Sequence, residues 1–227
     1  MVSTYSKMSL VKSNASISIL MKKILILLFS LFFLSTPSVF ADDISDFQIE
    51  GMSIGDSLLD YMTKDEILEE IEKNINDYYY LNEPKKYIGI YLWKEFPTYD
   101  FVSVFIKNNA TNQYLTNKNE KYTILSVRGY ISYEEDFDNC IQKRDEVEAV
   151  ISEMFPNSNI TENRVIFPGD PSGKSIKEDI LFEFFTGEHV EVSCTNMDES
   201  YRTKNNRTEG FGIIVRSKEI ISWLSDY

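Results

Sequence analysis

The sequence predicts an α+β fold in which helices pack on one face of an antiparallel sheet, in the order αα-βββ-α-βββ-α. Three observations lead there. Capping residues precede apolar stripes of helical spacing at Ser53, Thr63 and Glu134–Asp138. After Tyr78-Tyr79-Tyr80 and Asn82-Glu83-Pro84 the apolar period changes from 3.6 to 2. The alternating runs that follow are joined by short or polar connections, the pattern of a meander.

A leader precedes this region. Met21–Ala41 has two lysines at its front, an apolar run from Ile24 to Leu34 and a small-residue close at Val39-Phe40-Ala41, the pattern of a secretory signal peptide cleaved after Ala41. The run is short for a membrane span, which needs about 20 residues. Residues 1–20 are polar and Ser-rich, a non-structural extension that an early start codon would explain. The expectation is a periplasmic or secreted domain over 42–227, with 42–133 and 134–227 as possible duplicated halves. No cysteine follows the cleavage site, so a lipid anchor has no attachment point. All 36 acidic residues lie in this part against 19 Lys and Arg, a formal charge of −17. Such a surface disfavours nucleic acid and anionic membranes, and suits a cationic partner, divalent ions or simple solubility.

The elements follow in order. Asp42–Ile49 is an acidic lead-in. Ser53, with Asp56 three residues on, is placed to cap a helix carrying Ile54, Leu58, Leu59 and Met62. Thr63 with Glu66 caps the next, whose stripe is Ile67, Ile71 and Ile75. Together they make a tight αα-hairpin. Tyr87–Trp93 then alternates, with Ile88, Ile90 and Leu92 on one face and Tyr87, Gly89, Tyr91 and Trp93 on the other. Phe101–Lys107 turns Val102, Val104 and Ile106 inward, and Asn108–Glu120 is a polar loop. Tyr122–Tyr133 is a strand with Leu125, Val127 and Ile131 on its core face. The helix of about Asp138–Phe155 carries Cys140/Ile141, Val147, Val150/Ile151 and Met154/Phe155, and Pro156 ends it. Asn157–Lys177 is loop with a short strand at Arg164–Phe167. Ile180–Phe185 and His189–Cys194 form a hairpin, Thr195–Gly210 is a polar segment, and Phe211–Arg216 is a strand. Ser217–Tyr227 is an amphipathic helix with Ile220, Ile221 and Leu224 inward.

Cys140 lies on its helix stripe, and Cys194 shares a strand face with Val190 and Val192. Both point into one layer, so a helix-to-sheet disulfide is within reach, the alternative being two buried thiols.

Motifs for catalysis are weak. Gly169-Asp170-Pro171-Ser172-Gly173-Lys174-Ser175 misplaces its first glycine by one position for a phosphate loop, and a strand follows rather than a helix. It reads as a turn. His189, the one histidine, shares a face with Glu191 and Ser193 in a row that does not converge, and reads as a solvated strand face. No zinc set is present, and Glu134, Glu135, Asp136 and Asp138 lack calcium-loop spacing, so no metal or other cofactor is expected. Paired carboxylates are too many to be specific. The aromatics carry more weight. Tyr78, Tyr79, Tyr80, Tyr87, Tyr91 and Trp93 form either a ring-rich binding patch or part of the core.

The stretch Ile49-Glu50-Gly51-Met52-Ser53-Ile54-Gly55-Asp56-Ser57-Leu58-Leu59, with Gly173-Lys174-Ser175 and the Cys140 and Cys194 segments, resembles a family of uncharacterised exported proteins from AT-rich marine bacteria. More distantly, Gly-Met-Ser opening an αα-hairpin before a meander resembles small envelope modules of the BamE and β-lactamase-inhibitor type. That resemblance implies a binding or assembly-support domain; it lacks the usual lipid-bearing cysteine and gives no functional residues. The sequence therefore points to a non-enzymatic exported module that binds a protein, peptide or small ligand. The alternative is a small extracytoplasmic hydrolase using paired carboxylates, which needs two carboxyls facing each other across a pocket.

Overall fold

The computed structural model describes residues 44–108, 122–167 and 169–225. The 1–20 extension, the Met21–Ala41 leader with its cleavage site, and most of the Asn108–Glu120 loop lie outside the described residues. Seven strands form one antiparallel sheet: β1 (Tyr87–Leu92), β2 (Phe101–Lys107), β3 (Ile124–Ser132), β4 (Asn159–Ile166), β5 (Ile176–Glu183), β6 (His189–Asn196) and β7 (Gly210–Arg216). Their spatial order is β1-β2-β3-β7-β6-β5-β4. Among the described residues four helices accompany them: α1 (Lys64–Asn74), α2 (Phe137–Met154), α3 (Glu199–Asn205) and α4 (Lys218–Leu224). The mixed α+β class stands, and the sheet dominates it. Among the described residues, no helix is long and apolar enough to cross a membrane.

Alternation puts one apolar residue in two on the main core face. In register across the strands lie Ile90 and Val104, Val104 and Val127, Val127 and Val215, and Val215 and Val190. All are buried in one core with Ile67 and Ile71 of α1 and Cys140 and Ile151 of α2. Cys140 and Cys194 form a disulfide, Cα atoms 5.9 Å apart, which ties α2 to β6. Val150 and Met154 on the same helix are exposed, so the α2 stripe is narrower than its apolar spacing suggests.

The caps of α1 and α2 are as the residues specify. Thr63 accepts from the Glu66 N–H while the Glu66 carboxylate accepts from the Thr63 N–H at 2.8 Å, a complete capping box. Asp136 caps α2 through the Asn139 N–H.

The αα-hairpin is not formed. In place of a Ser53-capped helix there is one 3₁₀ turn, Leu58–Asp60, capped by Ser57. The backbone groups a helix would use are spent on the sheet instead: Gly55 N–H bonds the Ile124 carbonyl, Ile124 N–H bonds the Asp56 carbonyl, and Leu58 N–H bonds the Tyr122 carbonyl, at 2.8–3.0 Å. Positive φ at Glu50, Gly51 and Gly55 breaks the helical path. Asp56 accepts from the Ser53 N–H, a local turn rather than a helix start. The lead-in is not merely acidic, since Ile44, Phe47 and Ile49 are core residues.

Helices do not stay on one face. α4 buries Ile220 and Trp223, with Leu224 half-buried beside them, against the opposite side, with Leu81, Tyr87 and Leu125, while Ile221 stays outside that cluster. A register shift where β2 pairs with β3 at Phe105/Ile106 turns Leu125 away from Val127 and into this second cluster. β4 is a full strand rather than a short one at Arg164–Phe167, paired with β5 along its whole length. The segment Thr195–Gly210 contains α3, capped by Asp198 and closed by Asn206 in the left-handed region. Among the described residues the halves also contribute unequally, three strands from the first and four from the second.

Candidate functional site

Tyr87, Gly89 and Tyr91 of β1 point away from the main core, and Trp93 follows just past the strand. Gly89 lies under two rings, since a Cβ there would lie 3.7 Å from Phe105 Cε1 and 3.9 Å from Tyr78 Cε2. Tyr78 meets Phe105 edge-on at 5.2 Å and Trp223 at 5.5 Å. Tyr87 packs edge-on against Trp223 at 5.1 Å and donates its hydroxyl to Glu219 at 2.6 Å. Burial pushes the Tyr78 phenol up to about 12. Burial, then the Glu219 bond, raises Tyr87 as well. These two belong to the second core.

The other four rings are exposed as two pairs. Tyr79 and Tyr80 stand edge to face at 5.8 Å, and Tyr91 and Trp93 lie 5.8 Å apart. Trp93 is 77% exposed, whereas Trp223 is 6% exposed. The indole N–H of Trp93 donates to Glu70 Oε1 at 3.1 Å. Glu70 is buried on α1 and also accepts from Lys73 Nζ at 3.0 Å. Burial alone would raise its pKa, but the bonds from Lys73 and Trp93 and the Lys73 charge outweigh that and hold the carboxyl below its usual range. Glu66, Glu69, Glu70 and Lys73 from α1, together with Trp93 and Lys94, line a cleft of about 230 Å³.

Glu66, Glu69 and Glu70 are not legible as site residues in the sequence. In the sequence they look like the solvated flank of the Ile67/Ile71 stripe, though Glu66 and Glu70 at i, i+4 do share a helix face.

The His189 row is not a solvated face. Glu191 and Ser193 are buried, and Glu191 accepts from Lys177 at 2.6 Å and Arg216 at 2.8 Å. Burial opposes ionisation of Glu191, yet the Arg216 and Lys177 charges bring its pKa to about 2, too low for a general base at neutral pH. His189 Nε2 lies 3.5 Å from Glu183 Oε1.

The Gly169–Ser175 segment is a turn before β5. The carboxylate of Asp170 takes the N–H groups of Ser172 and Ser175 at 2.8 and 3.0 Å, and both hydroxyls, so the amides that might cradle a phosphate are already bonded. Asp136 caps a helix, and Glu134 and Glu135 lie 3.6 and 3.4 Å from Arg202. Among the described residues, no group of His, Cys, Asp and Glu is arranged to hold a metal ion. No protein-family model matches the chain, and comparison with curated proteins and with solved structures finds no significant match.

Proposed function

We propose that the protein is a non-enzymatic, extracytoplasmic binding module whose Tyr91–Trp93 surface takes a basic side chain from a peptide or protein partner. The observation that carries this reading is the exposed Trp93 indole beside an ionised Glu70, in a cleft that also holds Glu66 and Glu69. A guanidinium or ammonium over the indole face gains roughly 0.5–2 kcal/mol, and the neighbouring carboxylates add a charge-assisted partner. The formal charge of −17 over 42–227 raises the local concentration of cationic partners. The disulfide and the lack of a spanning helix among the described residues are compatible with export.

Carboxylate-based hydrolysis needs an acid kept protonated near neutral pH. Among the described residues the shifted carboxyls, Glu66, Glu70, Asp170, Glu191, Asp198 and Glu219, all move downward. The three glutamates of the cleft also come from a single helix, α1. Both features favour binding.

The test is calorimetric and fluorescence titration with short Arg- and Lys-containing peptides and their acidic counterparts. Basic peptides should bind and shift the Trp93 emission, Trp93→Ala should abolish the binding, and raised salt should weaken it. Equal binding of acidic peptides, or binding unchanged in Trp93→Ala, would refute the assignment.

A further inference from the structure

The two edges of the sheet are finished differently. At β1 the bond from Asn108 N–H to the Lys86 carbonyl sets the phase of the ladder, so Tyr87, Gly89 and Tyr91 turn their backbone groups away from β2. α1 occupies that edge: Asn74 Nδ2 donates to the Gly89 carbonyl at 2.9 Å, and the Glu70 carboxylate accepts from the Tyr91 N–H. At β4 the bond from Phe167 N–H to the Ser175 carbonyl at 2.8 Å sets the phase. Asn159, Thr161, Asn163 and Val165 therefore bond β5, while Ile160, Glu162, Arg164 and Ile166 turn N–H and C=O outward. All eight residues of β4 are exposed. The strand carries no proline or lysine and pairs with β5 without a register shift, so its protection is limited to two charges of opposite sign, Glu162 and Arg164.

We infer that this edge is a self-association surface: two copies of the chain pair β4 with β4, antiparallel, about a two-fold axis at Asn163. A perpendicular two-fold places residues of the same sheet face opposite each other. Glu162 then faces the partner's Arg164, and Ile160 faces the partner's Ile166, each contact occurring twice. The outward residues are the ones that meet, so the backbone groups of the free edge are matched as well. Moving the axis to residue 162 or 164 sets Glu162 or Arg164 against itself, and the sign pattern selects one register. Arg164 already bonds Glu178 at 2.6 Å and is still 67% exposed, so its guanidinium can serve both carboxylates. Because α1 covers the β1 edge, the contact is isologous and closes at two copies. It is independent of the Trp93 surface.

The test is the molar mass by sedimentation equilibrium of protein purified after expression of the full sequence. The mass should rise with concentration from one chain toward two. Glu162→Arg should raise the dimer dissociation constant roughly tenfold by setting like charges opposite. Glu162→Arg/Arg164→Glu should restore it. Glu162→Pro, which removes an outward N–H but no bond to β5, should abolish pairing while circular dichroism and melting stay those of the parent. A one-chain mass up to about 100 μM, a Glu162→Arg variant that associates like the parent, or a folded double variant that fails to recover would overturn the proposal.

Discussion

Trp93 donates its indole N–H to Glu70 at 3.1 Å, which fixes the exposed end of the β1 segment to a buried carboxylate on α1. Glu70 also binds Lys73 and accepts from the Tyr91 N–H, so one side chain holds ring, helix and strand edge together.

Removing Glu70 should therefore act on stability and on the ring at once. Glu70→Ala strands the Tyr91 N–H and the Trp93 indole, a loss of about 1–3 kcal/mol in denaturant unfolding. Glu70→Gln keeps an acceptor and should cost less. Because Trp223 is buried, iodide quenching of fluorescence reports mainly on Trp93 and should increase in Glu70→Ala. Quenching that stays unchanged would show that the bond does not orient the indole.

Glu191 gives a pH dependence. Its pKa in the folded state falls from 4.5 to about 2, so the folded form binds fewer protons than the unfolded chain in that range. The stabilisation is complete above the unfolded value and is lost as pH falls from about 4.5 toward 2. Glu191→Gln should flatten the melting temperature across that window while lowering it at neutral pH, where Arg216 and Lys177 lose their shared partner. A variant with the parent's full acid dependence would place the effect elsewhere.

What the sequence disclosed follows from how strongly each segment is buried on one face. β1, β2, β6 and β7 carry alternating apolar residues because one face meets the core, and α1 announces itself by Thr63 and Glu66. β4 lies open on both faces and so shows no alternation, and α3 buries no residue and so shows no stripe. The Ile54–Met62 run has helical spacing, but long-range bonds from Gly55 to Ile124 of β3 and from Leu58 to Tyr122 just before it decide its conformation, and no local window contains them. In the aromatic set, residue type could not separate Tyr87 from Tyr91 on the same face. Their difference comes from α4, which reaches Tyr87 from the far end of the chain.

The Cys140–Cys194 bridge spans a sequence separation of 54 and joins two buried positions. A Cys140→Ser/Cys194→Ser variant should lose roughly 2–4 kcal/mol, chiefly by freeing the unfolded chain, plus any cost of two buried hydroxyls. Denatured, unreduced protein should show no reactive thiol. Two thiols in that assay would remove the bridge from the account.

Three glycines should rank by what a methyl group meets. At Gly210, φ is +151° and a Cβ would sit 2.2 Å from the Ile131 carbonyl oxygen and 2.7 Å from the Tyr133 nitrogen, both backbone. Neither can retreat without opening the β3–β7 pairing that joins the two halves of the sheet, so Gly210→Ala should cost more than about 4 kcal/mol or prevent folding. At Gly129 the obstacle is the Tyr99 ring at 2.6 Å, a half-buried side chain that can rotate away at a cost of about 1–3 kcal/mol. At Gly173 nothing lies within 4 Å, and only the positive φ of +70° resists, about 1–2 kcal/mol. Urea midpoints of the three alanine variants test the order directly, and Gly173→Ala proving the most damaging would mean that backbone conformation, not the β3–β7 contact, limits this fold.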